Sequence, residues 1–251
     1  MDQLDYINGL LEARCVDEVW ALLTELMRGY GFDRLFYIYA RANSGSQLGE
    51  PGNALVLSNH SKAFLDRFVG DGLYRNAPMV RWANENQGVC NWRCIDQMLE
   101  SGNVSAAERQ VISFSRQHGV VAGLSISFAT LALRAKGGIG LVARGGLGHD
   151  DVDGIWQSRG PEILALTRVA HLRIISLPHP HARTILSPRQ REALEWVAEG
   201  KTMLDIATLM GVSVPTIEKH LRLARESLRV DNTAQAVAKA TMMNQIFAKE
   251  A

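Results

Sequence analysis

Between Thr216 and Arg229 the sequence gathers Lys219, Arg222, Arg225 and Arg229, with His220 and Glu218 among them. Cationic side chains at that density suit phosphate oxygens and the polar edges of bases, provided that something fixes their pose. The same stretch supplies it. Ile217, Leu221, Ala224 and Leu228 recur at spacings of four, three and four, which is one apolar stripe along a helix. Thr216, near the helix start, is placed for a phosphate oxygen, and Lys219, His220 and Arg222 can reach groove or backbone. Glu218 either accepts from a cytosine amino group or, as the helix spacing favours, pairs with Arg222 four residues on.

Other chemistry finds less material. No Ser/His/Asp, Cys/His or paired-carboxylate arrangement can be assembled, so an enzyme is the weakest reading. His179 and His181 sit in a proline-bearing stretch with no further ligand nearby, and neither a metal nor a cofactor is expected. Cys15, Cys90 and Cys94 form neither a C-x-x-C pair nor a zinc spacing, and packed, reduced thiols are expected.

The elements that must position these residues fall on two sides of Ser176-Leu-Pro-His-Pro-His-Ala-Arg-Thr184, where two prolines remove backbone donors. Residues 176–184 read as a linker between a domain at 1–175 and another at 185–251. After it every signal is helical. Ser187, Pro188 and Gln190 open one helix and Gly200 stops it, while Thr202 with Asp205 opens a second that ends at Gly211. Gly211-Val-Ser213 makes a tight turn into the third, cationic helix, and Asn232 with Gln235 starts a fourth. Two short helices across a glycine turn describe a helix-turn-helix.

Before the linker, helix and strand patterns alternate. Residues 16–29 place Val16, Val19, Trp20, Leu23 and Leu26 on one helical face, and 32–41 and 54–57 read as strands around the turn-rich 43–52. Ser61 to Phe68 reads as a short helix. A Ser105/Glu108 capping box opens a helix to His118, and two strands follow, joined by a Lys136-Gly137-Gly138 turn. Asp150 to Ile175 closes the domain as a helix with an interruption near Pro161. The expected fold class is α+β: an α/β/α sandwich on one antiparallel sheet, followed by an all-α four-helix domain.

The chain has 251 residues, 47% apolar and 21% charged, enough for two cores and unlike a disordered segment. Its longest uncharged run, between His118 and Arg134, is too short for a membrane span. Asp2 and Asp5 stand where a secretory signal needs basic residues, so a cytoplasmic protein is expected.

The C-terminal residues also carry a resemblance. Leu186-Ser-Pro-Arg-Gln-Arg-Glu-Ala-Leu-Glu-Trp-Val-Ala-Glu-Gly-Lys-Thr202, Asp205-Ile-Ala207, Gly211-Val-Ser213, Thr216-Ile217, His220 and Val237-Ala238 resemble the DNA-binding domain of LuxR-type transcriptional regulators. The resemblance implies a third helix in the major groove of promoter DNA and a fourth that helps to form a homodimer on a palindromic site. Lys201 and Thr202, inside the matched stretch, join Thr216, Glu218, Lys219, His220, Arg222 and Arg225 as candidate DNA-binding residues. Gln190 stands where the family usually has Glu, which keeps a capping acceptor and removes a charge.

A second resemblance covers the first domain. The parallel α/β pattern of a phosphorylated receiver is missing. Instead His60, Phe64, Phe68, Ala77-Pro78, Trp92 and Gly119-Val-Val-Ala-Gly123 fall at the spacings of the autoinducer-binding domain, the acyl-homoserine-lactone sensor of quorum sensing. Three polar groups of the family pattern are replaced: Trp by Phe64, Tyr by Phe68 and Asp by Ala77. In the family these donate to the lactone carbonyl, hold the acyl carbonyl and accept from the ligand amide, which phenyl rings and a methyl group cannot do. Each lost hydrogen bond is worth about 0.5–1.5 kcal/mol. His60, Asn76 and Tyr37 are candidate replacements, and Phe36 or Ile38 on the first strand would fill acyl-chain space.

The reading is a dimeric LuxR-type regulator whose sensor responds to an acyl- or aryl-homoserine lactone or to a non-standard small molecule. The alternative is a ligand-independent regulator whose first domain is a self-filled dimerisation or protein-interaction module.

Overall fold

The computed structural model of the chain describes residues 2–41, 54–128, 135–177, 186–243 and 245–247. The chain divides into two compact units, one of residues 1–10 and 20–170 and one of 11–19 and 171–251. The first is built on five strands, β1 (Phe32–Arg41), β2 (Ala54–Ser58), β3 (Gly88–Asn91), β4 (Gly123–Phe128) and β5 (Ala135–Ala143), in the antiparallel order β2-β1-β5-β4-β3. Directly opposed residues share a face. Phe36, Ile38, Gly138, Gly140, Ser125 and Cys90 therefore stand on one side, and Tyr37, Leu57, Ile139, Leu141 and Leu124 on the other.

Helices cover both sides, as in an α/β/α sandwich. On the side of Ile38 and Gly138, α4 (Pro78–Glu85) packs on β4 and β5, with Ala83 in one cluster with Ile38 and Ala40. The helices α1 (Gln3–Glu12), α2 (Val16–Gly29) and α7 (His149–Ser176) bury Tyr6, Leu10, Leu23, Met27, Val152, Ile163 and Leu166. Glu162 of α7 accepts from Gln3 and from the Tyr30 hydroxyl, tying α1 and the end of α2 to one carboxylate. Between the sheet's strands run α3 (Lys62–Leu65), α5 (Arg93–Glu100) and α6 (Ala106–Gln117), the last opened by the Ser105/Glu108 capping box with both bonds made.

Several expectations change. Lys136, Gly137 and Gly138 are not a turn but lie inside β5, where Gly137 pairs with Phe128 and Gly138 with Ser127. Within the strand Gly138 answers to space: a Cβ there would stand 3.2 Å from the Ile126 carbonyl oxygen. The connection from β4 to β5 is residues 129–134, outside the described residues. Pro161 does not interrupt α7, because Val152, Ile163, Leu166, Ala170 and Ile174 are buried on both sides of it, and packing outweighs the single lost helix bond. The short helix after Ser61 changes after α3 into a π-turn, Asp66–Gly70, and then a 3-10 turn, Leu73–Asn76. Elements α1, α4, β3 and α5 were not legible, being short or without a clean apolar period. Residues 43–52, His179, His181 and 178–184 of the expected linker lie outside the described residues, and Ser176, its first residue, ends α7.

The second unit contains α8 (Pro188–Ala198), α9 (Met203–Met210), α10 (Val214–Leu228) and α11 (Thr233–Met242). Both capping boxes form: Gln190 takes the Ser187 N–H at 2.8 Å, and Asp205 the Thr202 N–H at 3.1 Å. Gly211 ends α9 at φ 66°, a left-handed conformation that needs no Cβ. Ile217, Leu221, Ala224 and Leu228 face a core shared with Leu194, Ile206 and Ala236. Asn232 caps α11 by accepting from the Gln235 N–H.

Candidate functional site

The face of the sheet that carries glycines at 138 and 140 is the floor of a cavity. Phe36 and Ile38 of β1, His60 ahead of α3, Phe64 in it, Phe68 in the π-turn, Ala77 at the start of α4 and Trp92 at the start of α5 all line this one cavity. Ser61 caps α3 by accepting from the Phe64 N–H, which fixes the turn that presents His60 and Phe64 side by side. Their rings stack, His60 on Phe64 at 4.5 Å and Phe64 on Phe68 at 4.9 Å, both at 22°, while Phe36 meets Phe68 edge-on at 5.4 Å. Phe114 of α6 extends the stack at 5.4 Å. Such contacts add about 0.5–1.5 kcal/mol each beyond burial.

Few polar groups enter this wall. Burial pulls the His60 pKa down to about 4, with the Arg34 guanidinium adding to the effect, so the imidazole is neutral near pH 7, with one nitrogen donating and the other accepting. Trp92 is buried, and its indole N–H donates to Ser125 Oγ at 2.9 Å, leaving the serine hydroxyl proton for another acceptor. Asp96 and Arg116 also line the cavity and form an ion pair with each other, so the carboxylate is already engaged. At 77 there is only a methyl group.

Two candidates fall elsewhere. Tyr37 does not line the cavity: strand alternation sends it through the other face, where it is 1% exposed with Phe128 at 6.3 Å. Asn76 is exposed on the 3-10 turn and does not line the cavity either. Ser125, Ser115 and the Asp96–Arg116 pair line the cavity without having been singled out. A signal existed for Ser125, because a hydroxyl within a fully buried strand requires a partner.

On the second unit, Lys219 and Arg222 stand opposite the buried stripe of α10 and are exposed, with exposed Glu218 on one flank and half-buried His220 on the other. Thr216 Oγ1 is 2.8 Å from Ser213 Oγ, while the Thr216 N–H donates to the Ser213 carbonyl at 2.9 Å and Pro215 has no N–H to offer. Lys201 and Thr202 are exposed ahead of α9, with the Thr202 hydroxyl donating to Asp205 at 2.6 Å. The expected Glu218–Arg222 pair is replaced by Arg222–Glu226 at 2.6 Å. Both carboxylates are one turn away and an exposed pair is worth only about 0.3–0.5 kcal/mol, so spacing alone does not choose between them. Arg225 is drawn off the front face, donating to Thr233 Oγ1 at 3.2 Å.

Known proteins place both units. Residues 16–174 match the family model described as autoinducer binding domain, and 184–240 the model described as bacterial regulatory proteins, luxR family. The transcriptional activator protein LuxR of Aliivibrio fischeri is 25% identical over 197 residues, 76% of this chain and 74% of the relative. The transcriptional activator protein AnoR of Acinetobacter nosocomialis is 22% identical over 245 residues, 96% of this chain and 97% of the relative. Among solved structures, Escherichia coli SdiA has the same fold, with a TM-score of 0.55 at 17% identity, over 98% of this chain and 100% of that one. A second SdiA structure, in complex with octanoyl-rac-glycerol, has a TM-score of 0.54 at 17% identity, covering 98% and 96%. Members of this family are transcription regulators and not enzymes, and they bind DNA through the helix-turn-helix. With the cavity-bearing unit matching one family model and the helical unit the other, the chain belongs to the LuxR-type transcriptional regulators that join an autoinducer-binding domain to a luxR-family helix-turn-helix.

Proposed function

We propose that the cavity between the β1/β5 floor and α4 and α6 is the signal site of this regulator, and that its ligand is dominated by an apolar acyl or aryl group. The observation that carries this reading is the joint lining by Phe36, Ile38, His60, Phe64, Phe68, Ala77 and Trp92, six of them apolar and one a neutral imidazole. A homoserine lactone would find His60 and the Ser115 and Ser125 hydroxyls as polar contacts and, among the described residues lining the cavity, no free carboxylate for its amide. A neutral ester or alcohol head on an acyl chain asks for less. The SdiA complex with octanoyl-rac-glycerol supports that chemistry, since its ligand is an acyl chain on a neutral head without a lactone.

The sensor is assigned to residues 1–175, the linker to 176–184 and the DNA-binding domain to 185–251, consistent with the matched segments. Lys219 and Arg222 are assigned to groove and backbone, with Lys201, Thr202, Thr216, Glu218 and His220 around them. The regulator acts as a homodimer on promoter half-sites in the cytoplasm, where that DNA is. Ligand bound only by the ordered sensor shifts the population toward DNA-competent dimers.

The stacked rings from His60 to Phe114 favour a second reading, a core that fills itself. One experiment separates the two: thermal unfolding of the full chain against acyl-homoserine lactones, aryl-homoserine lactones and monoacylglycerols, with promoter-DNA gel shifts alongside. A ligand at a hundredfold excess over its dissociation constant adds about 2.7 kcal/mol to stability, and a raised midpoint with changed DNA affinity is expected. A chain stable alone, unmoved by every class and equally tight on DNA throughout, is the self-filled module.

A further inference from the structure

Cys90 and Cys94 stand at the two ends of the turn that carries Trp92. Cys90 is in β3 on the cavity side of the sheet, opposite Ser125, and Cys94 is the second residue of α5. Their sulfurs are 3.4 Å apart, and both thiols are free and half-buried. A disulfide needs a sulfur separation of about 2.05 Å, so closure asks the sulfurs to approach by about 1.4 Å, within reach of side-chain rotation and a small turn adjustment.

The two thiols are also unequal. The two sulfurs share a hydrogen bond that either can donate; with Cys94 as the acceptor, this bond and the backbone N–H groups of Cys94 and Ile95 at the start of α5 lower the Cys94 pKa. Cys90 is pushed up by the same hydrogen bond and by burial. Cys94, at the helix start beside two backbone N–H groups, is the better placed of the two to carry the thiolate and Cys90 to keep the proton, the division of labour of an attacking and a resolving cysteine.

We propose that Cys90 and Cys94 are a peroxide-responsive dithiol that closes to a reversible disulfide around Trp92. The Cys94 thiolate attacks one peroxide oxygen, the O–O bond breaks, and Cys94 becomes a sulfenic acid as hydroxide leaves. The Cys90 sulfur then displaces hydroxide from the Cys94 sulfur, forming the S–S bond. Its proton and the one released when Cys94 ionised convert both hydroxides to water. Two thiols lose two electrons, one peroxide becomes two waters, and an external dithiol reverses the change by exchange.

The clamp has a structural consequence. Trp92 lies against Gly123 and Gly140, bonds Ser125, and starts the helix whose Ile95 and Asp96 line the cavity. Oxidation would therefore restrain one cavity wall and alter signal affinity, a consequence that rests on the cavity being the signal site.

The test uses the full-length protein treated with hydrogen peroxide, with free thiols counted and peptides mapped without reduction. Thiols are expected to fall from three to one, the segment holding both cysteines to lose two hydrogen atoms, and dithiothreitol to restore them. In C90S, Cys94 should instead stop at sulfenic or sulfinic acid. Untreated wild type should take up one equivalent of phenylarsine oxide, a probe of paired thiols, and C90S and C94S none. Three unreacted thiols, separate sulfinic acids on both residues, or a disulfide through Cys15 or between chains would each overturn the proposal. Because these readouts need no signal molecule, a failure of the cavity reading leaves them unchanged, and is seen instead as ligands that move neither the reduced nor the oxidised protein's melting midpoint.

Discussion

The Trp92 indole N–H donates to Ser125 Oγ across 2.9 Å in the buried wall of the cavity, joining the β3–α5 turn to the central part of β4. Ser125→Ala leaves that N–H buried without a partner and should cost about 1–3 kcal/mol in the first unit's unfolding free energy, measured in urea. Ser125→Thr keeps the oxygen and should cost less. An alanine variant as stable as wild type would mean that the indole finds another acceptor.

Gly123, next to this wall, admits no side chain. A Cβ there would stand 2.2 Å from the Leu141 carbonyl oxygen and 2.8 Å from the Trp92 ring, and the backbone atom cannot swing aside. Gly123→Ala should destabilise by about 3 kcal/mol or more, at the upper end of overpacking. Gly145→Ala, with open space around it, is the control and should unfold like wild type.

Acid should weaken the protein below about pH 6.5 through two buried histidines. Burial lowers both His60 and His171 to about 4 from an ordinary 6.5. Between those values the unfolded chain binds protons that the folded chain does not, so stability is complete above pH 6.5 and falls as the pH drops toward 4. Melting curves across that window should show the decline, and His60→Gln should flatten it. An equal slope in His60→Gln would remove His60 from the account.

On α10, Lys219→Ala and Arg222→Ala should each weaken promoter binding, by about 1–3 kcal/mol for a base contact and with a salt slope lower by about 1 for a phosphate contact. Glu226→Ala releases Arg222 from its exposed ion pair and should tighten binding by at most about 0.5 kcal/mol. Gel shifts at several salt concentrations separate these cases. Arg225→Ala should do less to DNA binding than Arg222→Ala, since Thr233 holds it away from the front.

Returning polar groups to the cavity should change what it holds. Phe64→Trp with Ala77→Asp supplies a donor and an acceptor, each worth about 0.5–1.5 kcal/mol to an acyl-homoserine lactone. The same Asp, at a position only 8% exposed, would lie unpaired without ligand, so the apo protein should melt lower and the lactone-induced shift should grow. Calorimetric titration with a lactone series reads the change directly.

Local grammar was legible wherever short-range interactions decide the conformation. The boxes at Ser105/Glu108, Ser187/Gln190 and Thr202/Asp205, the Gly211 stop and the stripe from Ile217 to Leu228 depend on neighbours within about one turn, and the sequence by itself determined them. The resemblance to the autoinducer-binding domain also gathered His60, Phe64, Phe68, Ala77 and Trp92 as a set. What only the tertiary structure decided involves partners far apart in the chain. Lys136–Gly138 reads as a turn until Phe128 and Ser127 pair with it, and Tyr37 stands one residue from Phe36 yet on the opposite face of the sheet. The Arg225–Thr233 bond follows from how α10 and α11 dock. Packing energy summed over many distant residues outweighs local propensities of a few tenths of a kcal/mol, and no window along the chain contains that sum.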